Sequence, residues 1–334
     1  GLCSTSCPMR INTGEMIHDL RAADLPKDSL GYKTGDFAAR HFSGVKSVLR
    51  PVLSVAQGAH AVLGDKAVDS IGRGLNKIGI PLWSSAFPCA YYPKQLAVKP
   101  AELKVVYFPS CINQTMGKSK GVDKPLVEKT VDLLQKAGYE VIFPKDMKNL
   151  CCGTIWESKG MPDIADRKST ELENALYEAT DHGRYPVLCD QSPCLHRMRN
   201  VMTRVKLYEP VEFIYEFVAP RLRFTPIDEP IALHITCSSR HMKLESKFMA
   251  LAGLCSTKVI LPEEVGCCGF AGDKGFTHPE VNRYALRKLK PQLEKAGVRR
   301  GFSNSRTCEI GLTVNAGVPY QSIVYLVDEC TTTK

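Results

Sequence analysis

The tripeptide Cys-Cys-Gly occurs twice in this chain, at 151–153 and 267–269, and it is the feature that most limits what the chain can become. Adjacent cysteines do not easily bond to each other, because a strain-free disulfide fixes both the Cα separation and the Cβ directions. Each tripeptide also stands at the same place in a longer repeat. Apolar runs at 104–110, 140–144 and 185–190 read as buried strands, separated by helical periodicity at 126–139 and within 163–183. The order returns with strands at 231–236, 258–262 and 300–305 and helices at 244–253 and 279–297. The unit is strand, Cys, helix, strand, Cys-Cys-Gly, helix, strand, Cys, and its first cysteines, Cys111 and Cys237, are 126 residues apart. A repeat of that length is a duplicated domain and not a solenoid unit.

Strands alternating with helices predict a small parallel sheet in each half, with ligands beyond the carboxyl ends of the strands. The expected fold is therefore α/β: two duplicated cysteine-rich domains, 101–225 and 226–334, after a helical region and linker at 1–100. In that first region 11–25, 37–64 and 67–79 have helical period, Pro51 can kink or divide the second helix, and 80–100 reads as a linker wrapped over a surface.

The duplication yields two sets of four cysteines, Cys111, Cys151, Cys152 and Cys194, then Cys237, Cys267, Cys268 and Cys308. Four thiolates brought together select zinc or an iron–sulfur cluster. Structural zinc sites draw on close pairs such as C-x2-C, and neither set has two such pairs. An adjacent pair suits different corners of a larger cluster, with the glycine letting the backbone approach the inorganic core. The paired thiols are expected to face iron, as [4Fe–4S] clusters.

The segment "CSTSCP" at 3–8 adds Cys3 and Cys7, which match the last two cysteines of the ferredoxin pattern C-x2-C-x2-C-x3-C-P. The chain is thus expected to begin inside a ferredoxin-like cluster motif. Cys189 is a further candidate ligand, whereas Cys89, Cys255 and Cys330 read as buried free thiols. His196 and His241 are candidate secondary ligands. Lys274 and Arg306 are candidate cations beside the second set, the alternative being solvated or ion-paired surface charge.

Fourteen cysteines in 334 residues point to metal or redox chemistry in a reducing compartment. No run of about 18 apolar residues is present, and the first residues lack the build of a signal peptide. The reading is a soluble, cytoplasmic protein. A net charge of +9 is spread among acidic residues, which disfavours a nucleic-acid partner. Segment 37–79, with Arg40, Lys46, Arg50, Lys66, Arg73 and Lys77 among apolar residues, reads as an amphipathic helix covering the core or, alternatively, as a helix on a membrane surface.

At these motifs the chain resembles the CCG-domain proteins, among them the cysteine-rich component of heterodisulfide reductase and the iron–sulfur components of glycolate oxidase and anaerobic glycerol-3-phosphate dehydrogenase. Their pattern usually ends each repeat in C-x2-C. Here the last cysteine is single, since Arg197 and Gly311 stand three residues after Cys194 and Cys308. The stretches "GLCSTSCPMRINTGEMI", "CDQSPCLHRM", "LYEPVEFIYEFV", "CCGFAGDKGF" and "SNSRTCEIGLTVNAGVPYQSIVYLVDE" are similar to the C-terminal region of bacterial FAD-linked, iron–sulfur respiratory D-lactate dehydrogenases. That resemblance implies an electron-transfer portion served by a flavin domain in the N-terminal part of a parent chain, with a quinone or cytochrome acceptor. It also implies a peripheral position on the inner face of the cytoplasmic membrane as the alternative to a free cytoplasmic one. No FAD fingerprint or proton-abstracting His/Arg set is found in these 334 residues. Two other readings stay open: a catalytic unit acting on a disulfide, as in heterodisulfide reductase, and a structural zinc-binding protein.

Overall fold

The computed structural model describes all residues except Gly1, Arg10, 77–81, Trp83, Ser85 and Lys120. Four helices open the chain: α1 (Cys3–Ser6), α2 (Thr13–Asp24), α3 (Leu30–Arg40) and α4 (Phe42–Asn76). Asn12 and Ser29 cap α2 and α3 by accepting from backbone N–H groups of the first turn, as orphan donors at a helix start require. The expected helix at 37–64 is cut at His41, between α3 and α4. Pro51 lies inside α4, and the backbone leaves helical geometry instead at Gly64 (φ 74°, ψ 168°), a conformation that costs glycine least. Residues 77–79 of the expected third helix lie outside the described residues.

The first half carries β1 (Leu103–Phe108), α5 (Leu126–Lys136), β2 (Tyr139–Ile142), α6 (Thr154–Glu157), α7 (Pro162–Ala179), β3 (Val187–Cys189), α8 (Ser192–Val201), β4 (Leu207–Tyr208) and α9 (Pro210–Phe213). After β5 (Leu222–Phe224) the second half brings β6 (Ile231–Leu233), α10 (Cys237–His241), α11 (Glu245–Cys255), β7 (Val259–Ile260), α12 (Pro279–Ala285), α13 (Leu289–Lys295), β8 (Arg300–Ser303), α14 (Arg306–Ala316), β9 (Tyr320–Ser322), α15 (Ile323–Glu329) and β10 (Thr331–Thr333). The expected helix at 279–297 is two helices, because Pro291 has no N–H to give to residue 287 and its ring crowds that carbonyl.

Both halves form a four-stranded parallel sheet with the same order, β2-β1-β3-β4 and β7-β6-β8-β9. Strand alternation divides each sheet between two apolar clusters. Val105 and Tyr107 of β1, Leu188 of β3, Ile231 and Leu233 of β6 and Phe302 of β8 enter one core shared by the halves, with Leu133 and Leu134 of α5, Phe248 of α11 and Val324 of α15. Val106, Phe108, Val187 and Cys189 face the other way, into a cluster with Cys151, Cys152, Cys194, Trp156 and Phe42. Ala232 likewise faces a third cluster that holds Cys268, Cys308 and Phe270. The shared face joins the halves, and the outer face of each sheet is left for its cysteines.

A buried polar seam also crosses the interface. Ser192 Oγ and Asn304 Nδ2 donate to Glu209 Oε1 at 2.8 and 2.6 Å, and Gln191 Nε2 donates to Ser305 Oγ at 3.0 Å. The antiparallel pair β5–β10 returns the C-terminus to the connection between the halves. Of the expected linker, Tyr91 N donates to Thr115 O at 2.7 Å and Cys89 N to Lys118 O at 3.0 Å, which lays this stretch along the turn after Cys111.

Candidate metal centre

All six strand ends that carry cysteines, three in each half, point the same way within their half. Cys111 lies in the turn after β1, Cys151 and Cys152 in the loop after β2, and Cys194 in the first turn of α8, directly after β3. Cys237 opens α10 after β6, Cys267 and Cys268 follow β7, and Cys308 lies in the first turn of α14 after β8. Beyond the carboxyl end of a parallel sheet is where ligands collect.

The thiols of each half meet in a line. In the first, Cys111 bonds to Cys151, Cys151 to Cys152 and Cys152 to Cys194. In the second, Cys237 bonds to Cys267, Cys267 to Cys268, and Cys268 Sγ donates to Cys308 Sγ at 3.1 Å. Cys151, Cys152, Cys194, Cys268 and Cys308 are buried, and all fourteen cysteines are free of disulfides. Hydrogen bonds along the line decide where negative charge rests. The bond from Cys151 holds Cys111 below the ordinary thiol range, and bonds from Cys151 and Cys194 do the same to Cys152; both donors are pushed up in turn. In the second half Cys237 and Cys268 hold Cys267 down, and bonding to Cys267 pushes both of them up. Thiolate is the metal-binding form of cysteine.

The two glycines make room for the helix that follows each loop. Gly153 has φ 88° and a Cβ there would run into Ala165 O of α7; Gly269 has φ 72° and a Cβ would lie 2.7 Å from Ala285 Cβ and 2.9 Å from Val281 O of α12. What a side chain at either position would meet is the following helix. Helix side chains then grip each loop: Ser169 Oγ of α7 and Arg197 Nε of α8 donate to Cys152 O at 2.8 and 3.0 Å, and Asn282 Nδ2 of α12 donates to Cys268 O at 2.5 Å.

Residues 105–199 and 231–313 match the profile of the CCG cysteine-rich domain, and the two stretches include all eight of these cysteines and more than half of the chain. The chain belongs to the CCG cysteine-rich domain family. No curated protein matches it. Among solved structures, the chain is similar to a candidate Asp/Glu racemase from Yersinia pestis (12% identity, 68% of this chain and 96% of that one, TM-score 0.31). It is similar also to an aspartate racemase homologue from Pyrococcus horikoshii (12%, 68% and 96%, TM-score 0.25). At those scores neither likeness bears on the argument.

In the two CCG domains the place of a fifth cysteine is taken by parts of the loop grip. Arg197, three residues after Cys194, is buried, donates to Cys152 O and pairs with Glu157 and Asp166. Gly311, three after Cys308, leaves no room: a Cβ would sit 2.6 Å from Asn282 Nδ2 and 2.7 Å from Phe270 Cδ2. Each CCG domain therefore offers four sulfurs. Among the described residues no three His, Cys, Asp or Glu side chains close on a single metal ion. The donor set is sulfur alone, buried at Cys151, Cys152, Cys194, Cys268 and Cys308 and held through the carbonyls of Cys152 and Cys268, and four thiolates in such a set are compatible with iron–sulfur binding.

The remaining candidates divide. Cys3 and Cys7 share one turn, with Cys7 N donating to Cys3 O at 3.0 Å; Cys3 is exposed, and neighbouring Leu2 lies 3.2 Å from where a Cβ on Gly266 would stand, against the second CCG loop. Cys189 is fully buried with its thiol toward Gln191 O at 3.9 Å, and burial pushes that thiol up. Cys255 and Cys330 are buried as expected, in contact with each other, whereas Cys89 is exposed, because it lies on the outer side of its pairing with 117–118. His196 and His241 lie with ring centroids 5.6 Å apart and planes tilted by 48°, between α8 and α10, where burial lowers His196. Arg306 is no surface charge: it is fully buried, pairs with Glu309 at 2.9 Å and donates to Asn113 Oδ1 at 3.0 Å. Lys274 sits half-exposed in a tight turn.

Two residues near the sulfurs have no signal in the cysteine spacing. Lys46 of α4, 2% exposed, donates to Gln114 Oε1 at 2.7 Å, three residues after Cys111. His234, just past β6, bonds through Nδ1 to Ser303 Oγ at 3.2 Å, and burial lowers it to about 4. Lys46 could be found in the sequence only as one more cation in 37–64.

Proposed function

We propose that this chain is the electron-transfer portion of a FAD-dependent D-lactate, or 2-hydroxy acid, dehydrogenase, and that each set of four cysteines holds a [4Fe–4S] cluster. The observation that carries the reading is the recurrence of one arrangement: four sulfurs in the same order, at the same end of the same sheet, in both halves. Such a cluster supplies one-electron redox chemistry when bound. This chain's own residues supply thiolate, exclude water with Trp156, Phe42 and Phe270, and fix each loop through Ser169, Arg197 and Asn282. A duplicated site suits a wire with two stations, filled by a flavin domain of the parent chain and drained by a quinone or cytochrome. No described helix is long and apolar enough to cross a membrane; contact with the inner face of one would be peripheral, and α4 is the candidate for it.

The test is anaerobic reconstitution with iron and sulfide, followed by dithionite reduction and EPR. Two reducible clusters per chain, and reduction of both by a D-lactate-reduced flavin domain supplied in trans or fused ahead of residue 1, would support the proposal. Clusters that take no electrons from such a flavin would remove the dehydrogenase assignment, and turnover of a disulfide by the isolated chain would favour the catalytic alternative.

A further inference from the structure

Lys46 deepens that reading and rests on it. The ammonium is buried on α4, which belongs to neither CCG domain, and its hydrogen-bond partner, Gln114 Oε1, is neutral. Lys168, the other buried lysine among the described residues, is ion-paired with Glu171 and donates to Asn149 O. Around Lys46, Phe42 lies under the ammonium at 5.1 Å and packs on Trp156 at 5.3 Å; both belong to the apolar cluster that contains Cys151, Cys152 and Cys194. Arg50, one turn on, donates to Gln114 O at 3.1 Å, so α4 clamps the turn that begins at Cys111. A buried ammonium without an ion pair is costly unless negative charge lies nearby. Burial lowers Lys46 to about 8, and the charge of Cys111 is the largest opposing pull.

We infer that Lys46 sets the reduction potential of the cluster in the first half and leaves that of the second half unchanged. An added electron would make such a core more negative, and a cation buried against Phe42 and the turn that begins at Cys111 favours that state. The second set lies in a separate apolar cluster, lined by Phe270, Phe87 and Val265, to which no described residue of α4 contributes. The two stations of the wire are then made unequal by a residue from outside the duplication.

The experiment uses the full chain with one cluster at a time: Cys267→Ala with Cys268→Ala isolates the first site, and Cys151→Ala with Cys152→Ala the second. Lys46→Met is placed in each background; a buried charge replaced by an apolar side chain of similar length is commonly tolerated. Lys46→Arg serves as the charge-conserving control. In redox titrations followed by EPR, Lys46→Met should shift the first site's reduction equilibrium at least about tenfold toward the oxidised form, or about 59 mV for a one-electron couple. Lys46→Arg should restore it, and the second site should not move. Unchanged potentials at both sites, or equal shifts at both, with iron content intact, would overturn the role of Lys46 while leaving the electron carrier standing. Absence of reducible iron in the unsubstituted chain would instead overturn the carrier, and Lys46 with it.

Discussion

Gly153 and Gly269 hold the same position in the two halves, and the cost of changing them separates conformation from crowding. Gly153→Ala adds a Cβ at φ 88° directly against Ala165 O; left-handed strain plus the clash should cost about 3 kcal/mol or more. Gly272 has a similar φ of 74° but open space around it, so Gly272→Ala should cost only about 1 kcal/mol. Urea unfolding of both variants checks the contrast. A second residue-scale prediction concerns Glu209, which is fully buried and raised by burial to about 7. Because the folded state holds this proton more tightly than the unfolded state, its contribution is present below about pH 4.5 and is lost as pH rises to about 7. Glu209→Gln does not titrate and leaves imperfect partners for Ser192, Asn304 and Val211 N. It should destabilise more at pH 5 than at pH 8, with the gap narrowing by about 2 kcal/mol between them. Equal destabilisation at both values would contradict the assigned shift.

At the scale of elements, Trp156 links the N-terminal helices to the first CCG domain. It stands on α6, three residues past Gly153, stacks edge-on against Phe42 and donates from Nε1 to Gly35 O at 3.0 Å. Trp156→Ala should cost about 3–5 kcal/mol and release α3 and α4 first. Limited proteolysis should then cut within 25–64 while the two CCG domains stay intact; uniform digestion would contradict this. Elements also show what the sequence could reveal. The central strands were legible because alternate residues are apolar on both faces, and the helices because their apolar stripes repeat at helical spacing. Strands β4 and β9 were not legible, since two or three residues at a sheet edge carry no period. Nor was the split at 286–288, where Pro291 overrides an otherwise helical pattern.

Over the whole molecule, duplication is what made the candidate site readable: a cysteine that recurs in the same slot of a repeat is identified by the repeat, without any knowledge of its contacts. Arg197, Asn282 and Lys46 were hidden for the complementary reason. Arg197 and Asn282 grip equivalent carbonyls from unrelated positions in their halves, and Lys46 comes from outside the repeat. The shared apolar core and the seam through Glu209 hold the two sheets together, so loss of one cysteine set should leave the other able to load. The central claim is that each set of four cysteines binds its own cluster. The most direct test is iron, acid-labile sulfide and zinc per chain after anaerobic reconstitution, in the unsubstituted protein and in Cys151→Ala/Cys152→Ala and Cys267→Ala/Cys268→Ala. The account predicts about eight irons and eight sulfides in the first and about four of each in both variants, the load of one four-thiolate [4Fe–4S] site per half; colourless protein with stoichiometric zinc, or iron content indifferent to either substitution, would contradict it.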